Sequence, residues 1–231
     1  MRHPRPRAAL LTLALAAACA SKPEAAPTAA DGLCRALLDA PPHEWHQRLP
    51  PVLALGRAGA TPLLEQLQTA PLSPGAQAAV GALGNLGDPA AIPWLLQQVQ
   101  ARSGLGTEAA LSLGRLPAPG ARAVLQTTLA DHGAAVDLRT ACACALLELG
   151  ETRDAVPFLC ALFAADTNFG VAEAAAAGLG SRPRWALERQ MALSAIAKAC
   201  GGQTFGLDPD SPWPRLEQGV RALRAHFAAG R

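Results

Sequence analysis

The chain has 231 residues, of which 50% are hydrophobic, 4% aromatic and 16% charged, with no tyrosine. So much apolar surface excludes a disordered chain, and so few aromatics argue against a sandwich or barrel. The 53 alanines, together with leucine and glutamine, favour helix, and the length fits one domain of about 200 residues.

Residues 1–19 read MRHPRPRAALLTLALAAAC. Arg2, Arg5 and Arg7 precede an apolar run from Ala8 to Ala18. The run is short of the ~20 residues a membrane-spanning helix needs, and it has the size of a signal-peptide core. Ala16, Ala17 and Ala18 lead directly into Cys19. This segment resembles the lipobox of bacterial lipoproteins, with Ala16 where leucine is usual and Leu15 one place earlier. The resemblance implies a signal peptide over residues 1–18 and acylation of Cys19, palmitate being a typical acyl group. The alternatives are ordinary secretion with cleavage after Ala20 and an uncleaved anchor. Residues 19–31 then comprise the lipidated cysteine and a small, polar, Pro-containing tether. Loss of residues 1–18 removes three arginines, leaving 17 basic against 18 acidic side chains. A domain with no cationic surplus is not built to neutralise phosphates, so no nucleic acid is expected as a partner.

A period follows. The dipeptides Leu55-Gly56, Leu83-Gly84, Leu113-Gly114, Leu146-Leu147 and Leu179-Gly180 are spaced 28, 30, 33 and 33 residues apart. Each closes an Ala-rich stretch and is followed by a loop and a second apolar stretch. In the clearest copy, Asp88 is placed to cap a helix that starts at Pro89. Pro93 and Pro157 are expected near helix starts, where a missing N–H costs little. Ile92, Leu95, Leu96 and Val99 give one buried helical face. The phrase ALGNLGDPAAIPWLL resembles the HEAT-like repeats first described in phycobilin lyases, over about residues 50–200. The resemblance implies an all-α fold: an α-solenoid of about five helix-turn-helix repeats spanning 32–200. Single repeats cannot bury their apolar faces alone, so copies must stack. The second helices then align in columns. Leu95, Leu125 and Leu159 form one core column and Val99, Leu129 and Phe163 another, while Trp94, Val124 and Phe158 are expected between repeats. Gln97, Gln98, Thr127 and Thr128 form a polar strip that should face outward. It is the candidate binding face, because second helices line the concave side of such solenoids, and a merely solvated surface is the plainer reading.

Residues 201–231 make a C-terminal cap. A last amphipathic helix is expected from about Pro214 to Ala228, with Leu216, Val220, Leu223 and Phe227 on one side. The segment resembles a closing element found behind HEAT repeats in bacterial envelope proteins, retaining Phe205, Gly206, Asp208, Pro209 and Trp213 but carrying Thr204 where an aspartate is usual. Phe205 and Trp213 are expected to plug the open end of the solenoid.

Cys142 and Cys160 lie nine residues either side of Glu151, so antiparallel helices bring them to one level. A disulfide there would contribute about 3 kcal/mol; the alternative is two buried thiols acting as small hydrophobes. Cys34 and Cys200 are expected at opposite ends and so cannot pair within one molecule, whereas Cys34, if exposed, could pair between molecules. Cys142 and Cys144, two apart on a helix, point about 200° apart and make a poor zinc pair even with His132. His43, His46, His132 and His226 are scattered, and His43-Glu44 alone does not reproduce the several His-Glu pairs of the HEAT-repeat di-iron hydroxylases. No Gly-x-Ser-x-Gly, Walker loop or dinucleotide fingerprint occurs, and no metal, cofactor or catalytic residue is expected.

These features point to a non-enzymatic, lipid-anchored interaction or scaffold module of the bacterial cell envelope. It would face the periplasm, hold an envelope protein as partner and meet the membrane through its N-terminal lipid. Ala20 and Ser21 carry no acidic retention signal, which favours the outer membrane. A periplasmic peptide or small-ligand binding protein is the alternative. A lyase-like enzyme stands third, because it rests on fold analogy alone.

Overall fold

The computed structural model describes residues 28–229 except 117, 119, 165–170, 180–185 and 209–210. The signal segment, Cys19 and the tether up to residue 27 lie outside the described residues. The described residues contain helices and no strand.

Helix α1 (Ala29–Leu38) starts earlier than the expected tether boundary. Thr28 and Asp31 form a reciprocal capping box, the Asp31 carboxylate accepting from the Thr28 N–H and the Thr28 hydroxyl from the Asp31 N–H. That Thr-x-x-Asp spacing makes residues 28–31 the beginning of the folded domain. Cys34 on this helix is fully buried, its thiol 3.8 Å from the Gly59 carbonyl oxygen. The cysteine stands on the inner face with Leu37 and Leu38 and so is not available for pairing between molecules.

Helices α2 (Trp45–Leu53) and α3 (Ala60–Thr69) follow, and both pack on α1. Next come α4 (Ala76–Leu86) and α5 (Ile92–Gln100), α6 (Gly106–Gly114) and α7 (Ala121–Ala130), α8 (Val136–Glu148) and α9 (Thr152–Ala164). The first helices form one layer, α4 on α6 and α6 on α8. The second helices each pack on the first helix of the following repeat: α3 on α4, α5 on α6, α7 on α8. This stacking of two layers is the α-solenoid that the period implied.

The repeated glycine is there because the first layer is tight. A Cβ on Gly84 would lie 2.8 Å from the Ser112 Cα, and one on Gly114 would lie 2.8 Å from the Ala145 Cα. Beside the first of these contacts, the fully buried Ser112 hydroxyl donates to the Val80 carbonyl at 2.8 Å, tying α6 to α4. Gly56 in the first copy serves differently, turning the chain at φ +56° outside any α-helix.

Asp88 caps as expected, accepting from the Ala90 N–H at 2.9 Å ahead of a short 3-10 turn, Pro89–Ala91, that feeds α5. Pro93 sits in the first turn of α5. Pro157 departs from expectation. Because α9 begins at Thr152 without a preceding 3-10 turn, Pro157 falls inside the helix. There it removes the helical donor that would serve the Arg153 carbonyl.

The C-terminal part also differs from the simple period. Short α10 (Val171–Ala176) lies against α9, α11 (Ala186–Ala199) packs on α8, and α12 (Trp213–Ala229) packs on α9. Thus α11 and α12 extend the two layers by one unit, and the expected cap helix is the last second-layer helix. Leu216, Val220 and Leu223 are buried on its inner side and Phe227 is half-buried, as its spacing requires. Phe205 is half-buried and packs against the core at φ +54° in the loop before α12, beside the His226 ring. That loop meets α12 closely, because a Cβ on Gly219 would lie 2.9 Å from the Phe205 carbonyl oxygen. Pro209 and the Trp213 side chain lie outside the described residues.

Candidate functional site

The expected core columns are core. Leu95, Leu125, Leu159, Val99 and Phe163 are fully buried and Leu129 nearly so. Phe158 is buried, whereas Trp94 and Val124 are half-buried against the core.

The polar strip divides. Gln97 and Thr127 face solvent. Gln98 is half-buried, and its side-chain oxygen accepts from the Ser103 hydroxyl at 2.8 Å, which fixes the α5–α6 loop. Thr128 is buried at 9% exposure, so its expected place on an outward face is corrected. Position 128 lies three residues after Leu125 and one before Leu129, which on a helix is the flank of the core face.

Cys142 and Cys144 are buried thiols. Burial pushes the Cys142 and Cys144 thiols up to about 12 and Cys34 up to about 11. Nucleophilic reactivity belongs to the thiolate, so these three are inert under native conditions. Iodoacetamide is expected to modify half-buried Cys200 in the native domain, and Cys34, Cys142 and Cys144 only after denaturation. Peptide mass spectrometry reads each position separately. Loss of alkylation at Cys142 after denaturation without reductant would reveal a bridge. Among the described residues no group of three His, Cys, Asp or Glu side chains is placed to hold a metal ion. No helix among them is long and apolar enough to cross a membrane.

What the structure does bring together is an open groove of about 1010 Å³ in the second layer. Its walls come from α7 and α9, with the ends of α10 and α12 contributing. Leu129, Val156, Pro157, Phe158, Ala161 and Phe227 give it apolar surface, and Thr127 is the one strip residue it includes.

Arg139 of α8 forms the floor at 2% exposure. Its Nε donates to the Leu129 carbonyl at 2.9 Å and its Nη2 to the Ala177 carbonyl. The guanidinium carbon stands 4.9 Å from the centre of the Phe158 ring, within cation–π range. Leu129, Phe158 and Ala177 all line the groove, which places the guanidinium at its base. Nη1 is buried without a hydrogen-bond partner. Burial pulls the guanidinium below its ordinary value, and Asp131 partly opposes the shift. Asp131 is itself held by Arg102 and by the Gly133 N–H at 2.8 Å.

The sequence did carry a sign of this site. Arg139 stands seven residues before the Leu of its repeat dipeptide, where the two preceding repeats have Gly106 and Ala76. At that position a Cβ on Gly106 would lie 3.2 Å from the Gln98 carbonyl oxygen, so α5 and α6 close directly. In the fourth repeat a long cation occupies the place and reaches the last carbonyl-bearing turn of α7 instead. A charged residue in a small-residue column is the signal that column alignment of the first helices exposes.

A family model of HEAT repeats matches residues 60–136. The match runs from the start of α3 to the first residue of α8, so it covers three of the second-layer helices and stops at the edge of the Arg139 groove. No curated protein and no solved structure matches the chain. The matched repeats and the two-layer stack agree on a HEAT-like repeat domain, a class of fold that commonly serves protein–protein contact.

Proposed function

We propose that this protein is a non-enzymatic, lipid-anchored interaction module of the bacterial cell envelope, holding a protein partner through the second-layer groove. The observation that carries the reading is the groove itself: an open, largely apolar channel between stacked repeats. Its side chains include no nucleophile paired with a base and no metal-ligand cluster among the described residues. The anchor rests on Arg2, Arg5, Arg7, the apolar run and Cys19, and it would leave the domain tethered at the periplasmic face, favouring the outer membrane. A periplasmic small-ligand receptor is the second reading, favoured by the groove's size, since small-molecule sites run about 300–1,000 Å³. The groove's openness favours a polypeptide.

Proximity cross-linking in the native envelope tests the proposal with wild type and Cys19→Ala. The expected result is a defined set of envelope proteins captured by wild type and lost when the acylation site is removed. Equal capture by both forms would remove the anchor from the reading. An absence of specific protein capture would favour the small-ligand receptor.

A further inference from the structure

Arg139 has five N–H donors and uses two, on Leu129 and Ala177, while both hydrogens on Nη1 are buried without an acceptor. A buried polar group left unpaired costs about 1–3 kcal/mol and more when charged, and a buried cation is normally matched by an anion. No carboxylate among the described residues reaches it, and the acid that most affects it, Asp131, is engaged by Arg102. The groove above adds Arg153 and one acid, Asp154, which the Gln126 amide already contacts at 3.2 Å. The Phe158 ring lies 4.9 Å from the guanidinium carbon, and Val156 and Phe227 line the same groove. The ligand this arrangement recognises has a carboxylate set in an apolar surround.

We infer that the groove binds an extended apolar segment of a partner polypeptide and takes one Asp or Glu side chain of it onto the Arg139 guanidinium. A carboxylate brought onto Nη1 supplies the partner that this buried nitrogen lacks and completes a charge-assisted arginine–carboxylate pair, while Phe158 and Phe227 line the groove for the flanking apolar side chains. An acyl chain fits less well, because an open groove leaves it in contact with water. The inference rests on the interaction-module reading and names the chemistry of its partner.

A library of random twelve-residue peptides displayed on phage and selected on the full chain tests it. The expected outcome is enrichment of one acidic position between apolar residues. A selected peptide, made with a fluorescein label and an amidated C-terminus, is then measured by anisotropy. Exchange of its acid for the matching amide is expected to weaken binding about 10- to 100-fold, the range for a hydrogen bond to a charged group. That exchange is made on the ligand, so it stands even if an Arg139 variant fails to fold. Arg139→Lys, which keeps the charge and loses the fork, is expected to weaken binding by a smaller factor, with Gln97→Ala unchanged. Selection of peptides without an acidic position, no selection above background, or equal affinity of acid and amide would each overturn the inference. Binding of sodium oleate that depends on Arg139 and displaces nothing peptidic would overturn it in favour of a small amphipathic acid. If envelope partners are captured by cross-linking equally with wild type and Arg139→Lys, the interaction module stands and this site assignment fails.

Discussion

Gly75→Ala is expected to destabilise the protein by about 3 kcal/mol, at the top of the usual range for added bulk in a packed interior. The new Cβ would lie 1.9 Å from the Leu37 carbonyl oxygen, 2.8 Å from its carbonyl carbon and 3.0 Å from the Leu38 Cα. All three are backbone atoms, so no rotamer change relieves the contact. The Gly75 N–H also donates to the Leu38 carbonyl at 2.8 Å, and moving the chain apart would break that bond too. Relief requires α1 to leave the N-terminus of α4, taking buried Cys34, Leu37 and Leu38 with it. Thermal unfolding of the full chain should therefore fall by roughly 6–12 °C, at about 2–4 °C per kcal/mol for a domain of this size. Gly32→Ala is the control. It lies within α1 with nothing within 4 Å of the added Cβ, and should gain about 0.5–1 kcal/mol through helix preference. Wild-type stability in Gly75→Ala would mean that α1 does not dock on α4.

The same close approach explains why the fold was largely legible in the sequence. Leucine–glycine dipeptides recur in the first three copies, 28 and 30 residues apart, and at Gly84 and Gly114 they mark where first helices approach so closely that an added Cβ would lie 2.8 Å from the next helix's backbone. The core columns of the second helices follow from helical spacing, and Leu95, Leu125 and Leu159 are buried accordingly. Errors arose where period and face disagree. Thr128 has a polar side chain that suggests an outward place, although its spacing from Leu125 and Leu129 turns it inward. The burial of Cys34 follows from the capping box at Thr28, which starts a helix whose inner face it occupies. Pro157 was placed by analogy with Pro93, yet the 3-10 turn that shifts Pro93 to a helix start has no counterpart before α9. The groove was hidden for another reason. It arises from helices distant in sequence, and its floor is set by one departure, Arg139, from a column of small residues.

Phe163→Ala is expected to cost about 3–5 kcal/mol, the range for deleting a fully buried aromatic side chain. Phe163 is 0% exposed in the last turn of α9, in the column begun by Val99 and Leu129. Val99→Ala, removing fewer atoms from the same column, is expected to cost less. The two variants also differ in where the damage spreads. Stability of stacked repeats is approximately a sum of unit and neighbour terms, and α9 packs on α8, α10, α11 and α12. Loss of the Phe163 ring should therefore lower hydrogen-exchange protection across α8, α9, α11 and α12, with α3 and α4 keeping most of theirs. Val99→Ala, in α5, should move the affected region towards α6 and α7. Since the groove is built on α7, α8, α9 and α12, Phe163→Ala should loosen it while Val99→Ala acts mainly on the α7 wall. Uniform loss of protection along the whole chain in both variants would show that the stack unfolds as a single unit. A graded loss would instead place the groove on the part of the solenoid whose local stability Phe163 controls.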